Sequence, residues 1–560
     1  MKKFKLAALL LLLALLPFKA APQQQSQGTA TAVATAPTLP AATVESSKQI
    51  TAARLKEHLS VVASDAMEGR DTPSKGLDAT AQYIADDLKK LGLKPAGDDG
   101  TYFQRIALRR DKVDPARTTL TLDEQAYKFG EDFLVVANAG AAEGQLVYVG
   151  HGWAIKSKNV DAYKGIDVKD KIMIVAGTGL PNGVTQVELT GKKAGVDYDD
   201  AQSYAQRNGA RGLIVVPRAP NGNMERWWGR VRRSTGRGAY QVERFNTQGT
   251  TPSRLPTVYA SQKLLDALFA GEAVTGADVL KQAQTGEAGA AFALSPKKRV
   301  KFAVASASET ATTQNVVAVL EGRGPALKNE YVALGAHYDH IGVGTPDTSG
   351  DRINNGADDD GSGTVSILTI AEAFAKGARP KRSLLFVWHC GEEKGLWGSE
   401  YFTSYPTVPL ERVVAQLNID MIGRSKREGD TNARNANLSG ANEVYVIGSK
   451  MMSTELGALS ERVNSSFLSL SFNYKYDDPR DTERLFFRSD HINYARKGVP
   501  IIFYFDGVHE DYHRPSDAVE KIDFQKMERV ARTVFATAAE LANAPARPRV
   551  DKQLPAELTR

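Results

Sequence analysis

The apolar positions of the second half of the chain come in short runs, at 331–336, 383–388, 413–419 and 500–505. Neighbouring residues of a strand face opposite ways, so a run that stays apolar predicts a strand buried on both faces. Stretches 363–376 and 524–542 carry apolar residues at helical spacing and predict helices to cover such strands. The segment 305–545 therefore predicts an α/β domain, with a mixed, mostly parallel sheet sandwiched by helices. From Ile50 to about Leu108 the pattern is also helical. Ala79, Tyr83, Ile84, Leu88 and Leu91 share a face there, and Gly92 ends the run. We assign 46–115 to the N-terminal part of the same domain. Between them, 116–304 has a different texture. Short strands are predicted at 146–149, 172–175 and 213–216, with a helix at 201–208. This stretch holds His151 but no dense cluster of acids and histidines, and reads as an inserted β-rich domain.

The ends of the chain read differently. Met1 to Lys5 is basic, Leu6 to Leu16 is apolar, and 17–21 offers a cleavage zone, although Phe18 or Lys19 stands where a small residue is preferred. The apolar run is short for a membrane span, so 1–20 is expected to be a signal peptide and the protein to be exported, periplasmic or secreted. No later stretch is apolar enough to form a stable membrane span. Residues 21–45 are rich in Ala, Gln, Thr and Pro and read as a disordered linker, and 546–560 as a tail. The formal charge is +6, but Lys2, Lys3, Lys5 and Lys19 leave with the signal peptide. The remainder is close to neutral and gives no case for nucleic acid. With Cys390 as the only cysteine, no intrachain disulfide and no cysteine zinc cluster can form. Any metal must be held by His, Asp and Glu.

Each of the four apolar runs leads into such residues. The first runs into His337, Asp339 and His340, and the second into Glu392 and Glu393. The third runs into Asp420, and the fourth into Tyr512, His513 and Asp517. In open α/β sheets ligands gather beyond the carboxyl ends of the strands, where residues distant in sequence meet. Asp358, Asp359 and Asp360 stand together just before a predicted helix. A divalent cation would relieve their mutual repulsion. Zinc accepts imidazole nitrogen and carboxylate oxygen, and two zincs are well served by a bridging carboxylate. A free carboxylate nearby can take a proton from water, so Glu392 and Glu393 could divide the tasks of base and ligand. Asp339 is placed to fix the tautomer of His337.

The motifs AHYDH, NGADDDGSG, GEEKGLWGSEYF, NIDMIGR and YHRPSD, in this order, resemble the co-catalytic zinc aminopeptidases of peptidase family M28. The likeness covers about 50–115 and 305–545, and the insert resembles a protease-associated domain. The resemblance implies two zinc ions per chain. His337 and Asp420 would complete one site, Glu393 and His513 the other, and Asp359 would bridge them. It also implies Glu392 as general base, Asp339 behind His337, and Tyr512 as a donor to the transition-state oxyanion. Ser489-Asp490-His491 matches a motif lining the site. The implied substrates are peptides with a free N-terminus. The ligand set would also accept cobalt or manganese.

Other readings stand beside this one. Relatives with the same metals include carboxypeptidases and dipeptidases, and others are single-zinc glutaminyl cyclases. A catalytically dead binding protein on this scaffold, like the transferrin receptor, would have lost most ligands, and none is lost here. His340, His389 and His509 read as structural, and Cys390 as a small buried residue. Gly361 and Gly363 read as tight packing at a helix start. The stretch Arg226–Arg233 interleaves Arg with Trp227 and Trp228. It reads as an exposed loop whose Trp residues pack under the catalytic core, the alternative being a patch for an acidic partner.

Overall fold

The computed structural model describes residues 39–135, 139–177, 179–189, 192–219, 223–246, 255–287 and 289–554. The expected signal peptide, and the expected linker up to residue 38, lie outside them. The central element is a ten-stranded mixed sheet. Its strands are β1 (Phe103–Val113), β2 (Tyr240–Val242), β3 (Ser306–Leu320), β4 (Tyr331–His337), β5 (Ser383–His389), β6 (Val413–Ile419), β7 (Glu443–Ile447), β8 (Ser471–Asn473) and β9 (Ile501–Phe505), with Lys94–Pro95 pairing beside β3. The order across the sheet is β2-β1-β3-β5-β4-β6-β9-β7-β8. Strands β5, β4, β6 and β9 run parallel, so their carboxyl ends open on one edge.

Alternation along the central strands divides their side chains between two cores. Val332, Leu334, Ala336, Leu384, Phe386 and Trp388 join one cluster, and Ala333, Leu385 and Val387 join the other. The first is covered by helices α1 (Ala52–Val62), α2 (Lys75–Lys90), α4 (Gly363–Lys376) and α6 (Phe524–Asn543). Helix α3 (Met224–Arg237) belongs to the insert, and α5 (His491–Arg496) lies on the second face. Thr51 and Ser74 accept from the backbone of Arg54 and Leu77 and so cap α1 and α2.

Three expectations about the frame are revised. Helicity does not continue to Leu108, because β1 begins at Phe103. Its buried Gln104, Ile106 and Leu108 alternate with exposed residues, a period of two that follows directly on a helical stretch. The expected linker ends early, because a helix spans Ala41–Ser47 and buries Thr43 and Ser47. The insert also contributes to the central sheet, since β2 pairs antiparallel with β1 through Gln241 opposite Arg109. The rest of the insert builds a six-stranded and a four-stranded sheet around cores of its own. Among the described residues no helix is long and apolar enough to cross a membrane.

Helix α4 is tied to α1 by a buried charged network. Arg54 donates to both oxygens of Glu372, and His58 Nε2 lies 3.1 Å from the same carboxylate. Burial by itself pushes the Glu372 carboxyl up, but the His58 and Arg54 hydrogen bonds overcome it and hold the group at about 2, below its ordinary 4.5. A depressed folded value means stability that is complete above pH 4.5 and lost as pH falls towards 2. Glu372→Gln is therefore expected to be less stable than wild type in denaturant at pH 7, with the difference shrinking between pH 4.5 and 2. A difference that does not change with pH would show that the charge contributes nothing.

Candidate metal centre

The carboxyl ends of β4, β5, β6 and β9 deliver the acids and imidazoles to one crevice, and buried polar groups strap their loops together. Arg70, fully buried, donates to the carbonyls of Tyr338, Asn355 and Gly356 and so links the loop after β4 to the turn before α4. The Asp517 carboxylate, downstream of His513, accepts the backbone N–H groups of Asp358 and Asp359. Gly361 and Gly363 let α4 start against its neighbours. A Cβ at Gly363 would lie 2.6 Å from the Ile419 carbonyl, and one at Gly361 would lie 2.7 Å from Leu59.

The three consecutive aspartates are used differently. Asp358 accepts from the backbone of Gly423 and faces His509 at 3.3 Å. Asp360 accepts from the backbone of Gly363 and Met421. Both therefore anchor the loop after β6. Asp359 instead sends one oxygen each way. Its Oδ1 is 3.4 Å from His337 Nε2, and its Oδ2 is 3.2 Å from His513 Nε2 and 3.7 Å from His340 Nδ1. His337 Nε2 is also 3.6 Å from Asp420 Oδ1, and His513 Nε2 is 3.1 Å from Glu393 Oε2. The structure thus brings His337, Asp359 and Asp420 into one cluster and His340, Asp359, Glu393 and His513 into a second, with Asp359 common to both.

The chemistry of these donors fits a pair of divalent cations. Asp359 Oδ2, Glu393 Oε1, His513 Nε2 and both nitrogens of His340 are buried without a hydrogen-bond partner. Native interiors rarely leave such groups unsatisfied. Acidic neighbours push the imidazoles up against the opposing effect of burial, His513 to about 10 through Asp359 and Glu393, and His337 likewise through Asp420 and Glu392. The clusters therefore attract positive charge, and a metal would take the place of the protons. The other group of this type among the described residues, His58, Asp87 and Glu372, is already served by Arg54 and by the Tyr83 hydroxyl 2.7 Å from His58 Nδ1.

Of the other expected residues, Glu392, Tyr512, His337, Asp359 and Asp420 line one cleft. Burial, then the charges of Asp420, Asp490 and Glu393, push the Glu392 carboxyl up, against the pull of His337. Burial pushes the Tyr512 phenol up too, so it stays a protonated donor. Asp339 holds its place in a modified way. The His337 Nδ1–H donates to the Asp339 backbone carbonyl at 3.1 Å, while the carboxylate stands 3.7 Å away and accepts the Glu392 backbone N–H at 3.1 Å. His337 Nε2 is thereby left free to accept a metal.

His389 and His509 lie outside both clusters, bonded to Tyr494 and Arg424. His340, read from sequence as structural, lies inside one. The Ser489 hydroxyl accepts from the side-chain amide of Asn418 on β6, and His491 bonds the Phe486 carbonyl and stacks on Phe503. The Arg226–Arg233 stretch is part of α3 rather than a loop, and its Trp residues do not reach the catalytic core. Trp228 donates to the Gly130 carbonyl and Trp227 meets Tyr259 edge-on, both within the insert. Cys390 is fully buried, and burial pushes its thiol up. Cys390→Ala is expected to leave kcat within about twofold and to cost on the order of 1 kcal/mol in denaturant unfolding. A large fall in kcat with unchanged fold would give the thiol a chemical role.

Residues 315–538 match the model of peptidase family M28. A probable leucine aminopeptidase of Arthroderma benhamiae is 30% identical over 228 residues, covering 39% of this chain and 56% of that protein. Leucine aminopeptidase 1 of Ajellomyces dermatitidis is 30% identical over 230 residues, covering 39% and 54%. The chain thus spans little more than half the length of these relatives. The aminopeptidase from Aneurinibacillus sp. strain AM-1 superposes with a TM-score of 0.50 at 18% identity, over 91% of this chain and 98% of that one, a likeness of fold. The matched region contains both imidazole and carboxylate clusters and all four strands that carry them, so the likeness to peptidase family M28 falls on the part of the chain that holds the candidate site.

Proposed function

We propose that the protein is an exported metallopeptidase with two zinc ions per chain that removes N-terminal residues from peptides. The observation that carries this reading is the division of the Asp359 carboxylate between two clusters of imidazole and carboxylate. Metal ions held by His337, Asp359 and Asp420 and by Asp359, Glu393 and His513 would polarise the scissile carbonyl and acidify the attacking water. The protein's part follows from the placement of its side chains. Glu392 takes the proton of the attacking water on its carboxylate and returns it to the leaving amine. The Tyr512 hydroxyl donates to the oxygen on which negative charge develops. Asp339 keeps His337 in the tautomer that leaves Nε2 free.

The cleft also supports a preference. Met421, Leu485, Phe503, Phe505 and Val508 line it beside the metal residues and Arg488, and suit an apolar N-terminal side chain. Leucine aminopeptidases among the relatives are consistent with this. The test is a panel of free-amine aminoacyl anilides beside N-blocked and C-terminal-probe peptides. Cleavage of free-amine substrates, leucine ahead of glutamate, lost with a chelator and restored by zinc, is the expected result. Cleavage only of blocked or C-terminal probes would move the reading to a carboxypeptidase. Export rests on the basic and apolar pattern of 1–16, and N-terminal sequencing of the mature protein tests it.

A further inference from the structure

We propose that His340 is a metal ligand, so that the second position is enclosed by four side chains, His340, Asp359, Glu393 and His513, while the first has three and an opening. This rests on the two-metal reading above and adds a residue to it. The His340 ring is wholly buried, and neither nitrogen has a hydrogen-bond partner. Its Nδ1 lies 2.8 Å from Glu393 Oε1 and 3.7 Å from Asp359 Oδ2. The ring thus faces the same carboxylates as His513 does. Ligands about 2.0–2.1 Å from one tetrahedral centre stand roughly 3.3 Å apart. The His513 distances to Asp359 and Glu393, 3.2 Å and 3.1 Å, match that spacing, and the His340 distances bracket it. The two rings meet edge to face, 5.5 Å between centroids.

The surrounding backbone is built for this ring. The His340 N–H donates to the Arg70 carbonyl, and the Arg70 guanidinium holds the carbonyls on either side, at Tyr338 and Gly356. Gly356 has φ +55°, and a Cβ there would come within 2.6 Å of the His340 ring. Only glycine leaves this space at that backbone conformation. A four-ligand zinc site is closed, whereas a site with three protein ligands keeps a place for water or substrate. The arrangement therefore makes the second position the tightly held one and leaves exchange and substrate entry to the His337, Asp359 and Asp420 position.

The experiment is zinc titration of the metal-free full chain, read by stoichiometry and competition with a chromogenic chelator, for wild type, His340→Ala and His340→Gln. Wild type is expected to bind two ions. Both variants are expected to hold one of them at least about 100-fold more weakly, with the other changed by a few fold. Zinc-edge X-ray absorption on wild type gives a second readout that needs no variant. Three histidines shared by two ions give about 1.5 imidazoles per zinc, against about 1 if His340 is not a ligand. Two ions held as tightly in His340→Ala as in wild type, or wild-type affinity in His340→Gln, would overturn the proposal. In the second case His340 would serve Glu393 by hydrogen bonding alone. A wild type that binds no zinc would overturn the two-metal reading itself, and this proposal with it.

Discussion

Glu392→Gln and Glu392→Ala are expected to bind two zinc ions as wild type does and to lose about 10³–10⁴-fold in kcat, with KM changed little. In free energy that is about 4–5.5 kcal/mol of transition-state stabilisation. The separation of metal binding from turnover follows from the position of the side chain. Glu392 lines the cleft with His337, Asp359 and Asp420, but it is Glu393, the next residue, that faces His340 and His513. The Glu392 backbone is fixed through its N–H on Asp339, so the Gln variant keeps the loop in place and removes only the proton acceptor. Burial and the neighbouring acids raise the affinity of this carboxylate for a proton above that of an ordinary glutamate. A base with that property accepts a proton from an acidified water more readily. Metal content by mass spectrometry and steady-state kinetics on a leucyl anilide check the prediction together. Turnover within tenfold of wild type in either variant would remove Glu392 from the base role.

Asp359→Ala is expected to abolish both activity and paired metal binding, because a single carboxylate serves both clusters. Its removal leaves His337 with Asp420 alone in one cluster, and takes one ligand from the other. Metal content is expected to fall to at most one ion per chain, and kcat to background, at least about 10⁴-fold down. Neighbouring aspartates provide the control. Asp358→Ala and Asp360→Ala remove acceptors from the backbone N–H groups of Gly423, Gly363 and Met421 and are expected to cost about 1–3 kcal/mol of stability. A count near two ions per chain in Asp359→Ala, by the same mass spectrometry, would count against the bridge.

The residues that make these predictions were legible to different degrees. Strands β4, β5 and β6 were readable within a residue, because burial on both faces demands apolar side chains at nearly every position. The ligands at their ends were readable because short motifs of fixed spacing carry them. By contrast β1 was hidden, since its alternation of Ile106 and Leu108 with Arg105 and Arg109 is brief and follows a helical run. The pairing of β2 with β1 joins residues more than 120 positions apart in chain order, for example Gln241 with Arg109, and no local signal announces it. Trp227 and Trp228 were recognisable as packing residues, but their partners Tyr259 and Gly130 are distant in sequence.

Local patterns along the chain suffice for the α/β class, the parallel strands and the identity of the acids and imidazoles at their carboxyl ends. Those properties follow from periodicity and from residue chemistry, which are local. How the like residues divide their work follows from the folded arrangement alone. Asp358, Asp359 and Asp360 are chemically the same, and they differ because two meet backbone N–H groups and one meets imidazoles. His340 and His389 are both histidines at strand ends, and they differ because one is buried beside Glu393 and His513 and the other beside Tyr494. Arg70, unremarked in the sequence, is a structural clamp because three carbonyls from two distant loops converge on it. A side chain's role in a buried site is set by which lone pairs and protons face it, and those arrive from elsewhere in the chain.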